Sequence, residues 1–202
     1  MKMLCKISVV MIFSGISYSC LASESVIEAL SDCNASFFEK LERNKSLNII
    51  PEQFFKIDIK EKKDFSLDVN HTSSEGVELN QFKVIYKNFD DYEEITPMDV
   101  KGKFYFWGFA SNQPLHTIIN ALSGVLDLKK IGEKIYVYNP MIKSEGDEWS
   151  YNKSAVNGIA PAEKTTEKMF FIEETQSNQV TIMCSLQGNV SQKDLIDSGL
   201  LK

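Results

Sequence analysis

Gln179–Gly188 reads QVTIMCSLQG, and its alternation decides the fold. Val180, Ile182, Cys184 and Leu186 share one side of a strand with a two-residue period. A cysteine in that series faces the core. Its partner must then come from another apolar surface, and the rest of the chain shows which one.

The amino terminus narrows the choice. Lys2 and Lys6 precede a ten-residue apolar run, Ile7 to Ile16, and small and polar residues follow in SYSCLAS. This is the layout of a secretory signal peptide, with cleavage expected after Ala22. The apolar run is well short of the about 20 residues a spanning helix needs. The rival reading is a lipoprotein acylated at Cys20, and only then would the protein be tied to a membrane. Ser17 and Tyr18 suit that reading poorly. Removing residues 1–22 leaves 180 residues, the size of one domain with a real core.

Cleavage would also remove Cys5 and Cys20, leaving Cys33 and Cys184. An even pair in an oxidising compartment reads as a disulfide. Residues 23–44, SESVIEALSDCNASFFEKLERN, carry Val26, Leu30, Cys33, Phe37 and Leu41 at helical spacing. Ser25 and Glu28 form a capping-box pattern at the start. Cys33 therefore falls on the buried stripe of the first helix, facing the strand that carries Cys184. A redox role is disfavoured, because there is no Cys-x-x-Cys and apolar surroundings oppose thiolate formation.

Strand patterns dominate the middle. FFKIDI (54–59) and FSLDV (65–69) flank KEKKD as a hairpin, and HTSSEG (71–76) is a polar break. Residues 79–89 alternate through Phe82, Val84 and Tyr86. GKFYFWGF (102–109) has aromatics in both phases, which predicts a central strand covered on both faces. NQPLHTIINALSG (112–124) predicts a short helix, with Pro114 in its first turn and Gly124 as its stop. Two strands about Gly132 and a terminal hairpin through Phe170 and Ile172 complete the pattern, which ends at Gly188. The order predicts one α+β domain over residues 23–202, its helices packed on a mainly antiparallel sheet.

Residues 142–167 stand apart as a long polar connection. Trp149 and Tyr151 sit there among Glu145, Asp147 and Glu148. Rigid aromatics within a polar stretch suit a partner-binding surface. The competing expectation is that both rings tuck onto the sheet and pin the segment.

Catalytic signatures are lacking. His71 and His116 have no His or Cys at metal-ligand spacing. No nucleophile elbow, phosphate loop or dinucleotide fingerprint occurs, so no cofactor or metal is expected. SYNK (150–153) matches Ser-x-x-Lys but lies in a polar segment instead of opening a helix. DDYEE (90–94) lacks the spacing of a calcium loop. Asn-x-Ser/Thr recurs at Asn34, Asn44, Asn70, Asn152 and Asn189, which matters only in a eukaryotic secretory route.

The whole chain carries −6, and loss of Lys2 and Lys6 leaves −8. That disfavours nucleic acid and anionic membrane surfaces and suits a protein partner with a basic surface. The expectation is an exported, periplasmic binding protein, for example an immunity or inhibitor protein that blocks a toxin. The alternatives are an envelope assembly accessory, with or without lipid on Cys20, and a hydrolase with dispersed catalytic residues.

Overall fold

The structure, a computed structural model, describes residues 25–43, 64–89, 102–155 and 163–201. The leader, the 54–59 arm of the first expected hairpin and the acidic 90–94 stretch lie outside the described residues. Two short helices open the described chain, α1 (Val26–Ser31) and α2 (Ala35–Arg43). Strands β1 (Phe65–Thr72), β2 (Glu78–Asn88) and β3 (Lys103–Ser111) lead to α3 (Leu115–Leu122). Then come β4 (Lys129–Lys130), β5 (Ile135–Ser144), β6 (Ser150–Tyr151), β7 (Thr165–Glu174), β8 (Val180–Gly188) and α4 (Gln192–Asp197).

The eight strands of the described residues form one antiparallel sheet in the order β1-β2-β3-β8-β7-β5-β4, with β6 paired to β5. The α+β class is as the sequence predicts. The strand β8 lies between β3 and β7, so its backbone groups are satisfied on both sides. Residues from all four helices join Phe82, Val84, Trp107, Phe109, Phe170, Ile172, Ile182 and Cys184 in the larger core cluster. The expected two-faced character of β3 is present. Tyr105, Trp107 and Phe109 belong to that cluster, while Phe106 packs with Met169, Phe171 and Met183 in a smaller one on the other face.

The Cys33–Cys184 disulfide is present, with Cα atoms 5.5 Å apart and a sequence separation of 151. Cys184 is opposite Trp107 on one side and Phe170 on the other, and both cysteines are buried. The capping box is also present: Ser25 Oγ accepts the Ile27 and Glu28 N–H groups, and Glu28 accepts the Ser25 N–H.

One expectation needs correcting. Residues 26–43 form two helices, not one. Asp32 ends α1, Cys33 takes a left-handed φ of 51°, and Asn34 Oδ1 accepts the Ser36 N–H at the start of α2. Asp and Asn compete for backbone groups with their own side chains, which breaks a helix at little cost. Cys33 thus sits at a joint between helices. The α4 helix was not expected at all. Its signal is Ser191-x-x-Asp194, which forms a full capping box.

Gly108 sets the spacing of the central strands. It has a φ of 148°, and a Cβ built there would lie 2.3 Å from the Ile182 carbonyl oxygen. No side chain fits. Gly108→Ala should therefore lower the unfolding free energy by at least about 2 kcal/mol in urea titrations. Gly124→Ala, where a Cβ meets nothing within 4 Å, is the control and should change little. Equal midpoints for the two variants would refute the close-approach argument.

The disulfide closes nearly the whole described chain into one loop, which the entropy model rates at about 4–5 kcal/mol. Replacing both cysteines by Ser should lower stability by about 2–5 kcal/mol. Non-reducing peptide mapping should recover the two cysteines joined, and two free thiols would sink the assignment.

Candidate binding surface

The first described part of the segment that the sequence sets apart forms a hairpin between β5 and β6. Strand β5 is interrupted between Tyr138 and Met141, where Asn139 has a φ of 46° and the register shifts against β7. Beyond this bulge β5 continues to Ser144, and β7 starts at Thr165, so strand structure occupies both ends of the polar stretch. The returning β6 pairs Tyr151 with Met141 and Ser150 with Ile142. Glu145 to Trp149 form the tip. Gly146 supplies the positive φ of 84° that the tight turn requires. Four bonds hold the tip: Glu145 N–H to the Lys164 carbonyl at 3.0 Å, Asp147 N–H to Ser144 at 3.1 Å, Ser150 Oγ to Ile142 at 3.1 Å, and Asn152 N–H to Pro140 at 2.8 Å.

The five residues picked out from the sequence lie together on this hairpin but face different ways. Trp149 is half-buried against the larger core. Lys143 Nζ lies 4.9 Å and Lys168 Nζ 5.1 Å from its ring centroid, a double cation–π contact. Glu145, Asp147, Glu148 and Tyr151 are exposed. The Tyr151 hydroxyl accepts from Lys129 Nζ at 2.6 Å, and the same ammonium lies 4.9 Å from its ring.

A charge cluster fixes Trp149 to α4. Lys143 pairs with Asp194 at 2.5 Å. Burial pushes the Asp194 carboxyl up, but Lys143 and the Ser191 hydroxyl and N–H outweigh it and hold the group below its usual range. Burial depresses the Lys168 ammonium, Lys143 adds to this, and Asp197, Asp32 and Asp194 oppose it. The exposed Lys193 is held above its usual range by Asp197 first, with smaller pulls from Asp194 and Glu148.

A second constellation was missed in the sequence. Glu167 is only 3% exposed. Its carboxyl accepts from Gln187 Nε2 at 2.6 Å and from Asn152 Nδ2 at 2.7 Å. Burial pushes it up, and the two amides only partly offset that. The available signal was its phase: Glu167 alternates with Met169 and Phe171, on the face away from Phe170 and Ile172. It is enclosed, and each of its two oxygens accepts from a side-chain amide.

Other chemistry is sparse. Among the described residues no three His, Cys, Asp or Glu side chains are grouped to hold a metal. His71 is half-buried and depressed by burial, while His116 is exposed beside Thr117. Ser150 of the SYNK stretch donates to a β5 carbonyl from a strand, not from a helix. A surface hollow of about 420 Å³ beside the end of α3 is lined by Ile119, Val125, Leu126 and Leu128, with Asp127 as its titratable side chain. No protein-family model, curated protein or solved structure matches this chain.

Glu167 generates a pH prediction. Its native pKa is raised, so between the ordinary glutamate range and the native value the folded chain keeps a proton that the unfolded chain has lost. Unfolding free energy should fall as pH rises through that window, and the contribution is complete below it. Glu167→Gln cannot titrate and should flatten this part of the stability–pH curve. An unchanged slope in the variant would remove Glu167 as its source.

Proposed function

We propose that this chain is an exported, non-enzymatic binding protein of the cell envelope, of the immunity or inhibitor type, that blocks a toxin or other protein with a basic surface. The observation that carries the reading is the braced β5–β6 tip. It presents three carboxylates and Tyr151 to solvent on a backbone already held by four hydrogen bonds. A surface ordered before contact loses little conformational entropy on binding. Exposed like charges at a tip speed encounter with an opposite surface.

Export is supported by the disulfide, which suits an oxidising compartment. Among the described residues no helix is long and apolar enough to cross a membrane. Cleavage after Ala22 agrees with the leader pattern, and the periplasm is the compartment proposed.

On this reading the two rings divide the work: Trp149 braces the tip, and the exposed Tyr151 is the ring that would meet the partner. Trp149→Ala should therefore lower both stability, by about 2 kcal/mol, and affinity. Tyr151→Ala should lower affinity and leave the melting temperature near its original value. Glu145→Gln, Asp147→Asn and Glu148→Gln together should slow association about tenfold at low salt, with the difference vanishing at high salt. The measurement is surface binding against the protein that the mature chain captures from periplasmic extract. A triple variant that associates at the original rate would take the tip out of the interface.

A further inference from the structure

Among the described residues, three large apolar side chains stay exposed: Val125, Tyr151 and Ile196. The first two are connected through one edge of the sheet. Strand β7 pairs with one side of β5, and β4 and β6 share the other. On that shared side Lys129 is opposite Val137 and Tyr151 is opposite Met141. Four strand residues separate these positions by about 13 Å. The Lys129 side chain spans the interval and donates to the Tyr151 hydroxyl at 2.6 Å. Val125 lies just before β4, where it borders the hollow at the end of α3.

That hollow has apolar walls and a negative rim. Leu126 is buried, Ile119 and Leu128 are half-buried, and Val125 is 46% exposed. The Asp127 carboxylate makes no ion pair among the described residues. The two lysines of β4 are engaged elsewhere: Lys129 with Tyr151, and Lys130 with the Tyr136 ring, 5.8 Å from its centroid. The C-cap of α3, Ser123, also lines the hollow, and the last turn of that helix holds no basic residue. A helix carries partial negative charge at this end. Its own chain thus leaves that charge, and that of Asp127, without a cation. Apolar walls beside a carboxylate and a helix C-terminus suit a cation on an aliphatic stem. A guanidinium fits best, because its five donors can serve several acceptors at once. The volume of about 420 Å³ falls within the range of small-ligand sites.

We infer that the hollow beside α3 is the anchor site for an arginine side chain of the basic partner, on one contact surface with Tyr151. This rests on the binding reading above and states what the partner must carry. The acids of the tip act at a distance and speed encounter. The hollow acts after contact, by covering an aliphatic stem and holding its charged head, so it governs dissociation.

The test uses the exported, oxidised protein with ¹³C-labelled methyl groups. The probe is N-acetyl-arginine amide, and its neutral isostere is N-acetyl-citrulline amide. The Ile119, Val125 and Leu128 methyl signals should shift and saturate with the arginine probe at a concentration on the order of 1–10 mM. The citrulline probe should bind about threefold more weakly. Asp127→Asn should bring the two probes level, with an unchanged melting temperature. Glu145→Gln, Asp147→Asn and Glu148→Gln together should leave probe binding as it was, which separates the hollow from the tip. Against the captured partner, Val125→Ser combined with Asp127→Asn should speed dissociation about tenfold and leave association near its original rate. Methyl signals that stay in place, or equal binding of the two probes to the wild-type chain, would overturn the arginine site and leave the tip reading standing. Probe binding with an unchanged partner dissociation rate would overturn it as well. Tip variants that associate at the original rate would instead sink the binding reading, whatever the probe does.

Discussion

The Cys33–Cys184 bond is the constraint on which the other elements depend, because of where it enters the sheet. Strand β8 comes last among the strands in sequence, yet it lies between β3 and β7. The first three strands and the β7–β5–β4 group are thus joined only when β8 docks. Pairing β3 with β8 brings together residues such as Trp107 and Cys184 that are far apart in the chain. Loop closure of that kind is slow and entropically costly. The disulfide fixes the helical joint onto the same β8 residue, so the strand that completes the sheet is also the strand that carries the helical layer.

That arrangement explains why so much of the fold was legible in residues 179–188. Alternation gave the inward phase of Cys184, and the helical spacing of Val26, Leu30 and Phe37 gave the surface it meets. What escaped notice was local. The break at Asp32–Asn34 leaves every apolar residue in phase, so periodicity alone cannot show it; only side-chain competition for backbone groups does. The α4 helix is six residues long, too short for a clear apolar stripe, and its capping box was its only mark. Strand β6 has two residues and no period at all.

The candidate surface shows the same division. Composition identified Glu145, Asp147, Glu148 and Trp149 of the tip and Tyr151 on β6, because charged and aromatic side chains stood out in a polar stretch. It did not show that Trp149 turns inward, because its partners come from three elements: Lys143 on β5, Lys168 on β7 and, through Lys143, Asp194 on α4. Such a contact is set by sheet order and cannot be read from neighbouring residues. Glu167 was hidden for a related reason. A glutamate in a strand reads as a solvent-facing residue until the covering of the second face is known.

The inward turn of Trp149 changes what the tip can do. A tryptophan free in a polar loop would offer contact area, but much of its binding free energy would be lost in ordering the loop. Here the ring is held before any partner arrives. Two ammonium groups flank it, one of them neutralised by Asp194. With the ring and its lysines drawn toward the sheet, the solvent side of the tip keeps its acids and Tyr151. On the proposed reading, a basic surface would meet the exposed acids without first displacing Lys143 or Lys168, while Lys129 stays bonded to Tyr151. The same packing makes the tip dependent on α4. A change in Asp194 would free Lys143, loosen the ring and alter the charge presented to solvent, although Asp194 is itself only about 2% exposed. On the proposed reading the surface of the tip thus depends on an ion pair beneath it, the one that joins Lys143 of β5 to Asp194 of α4.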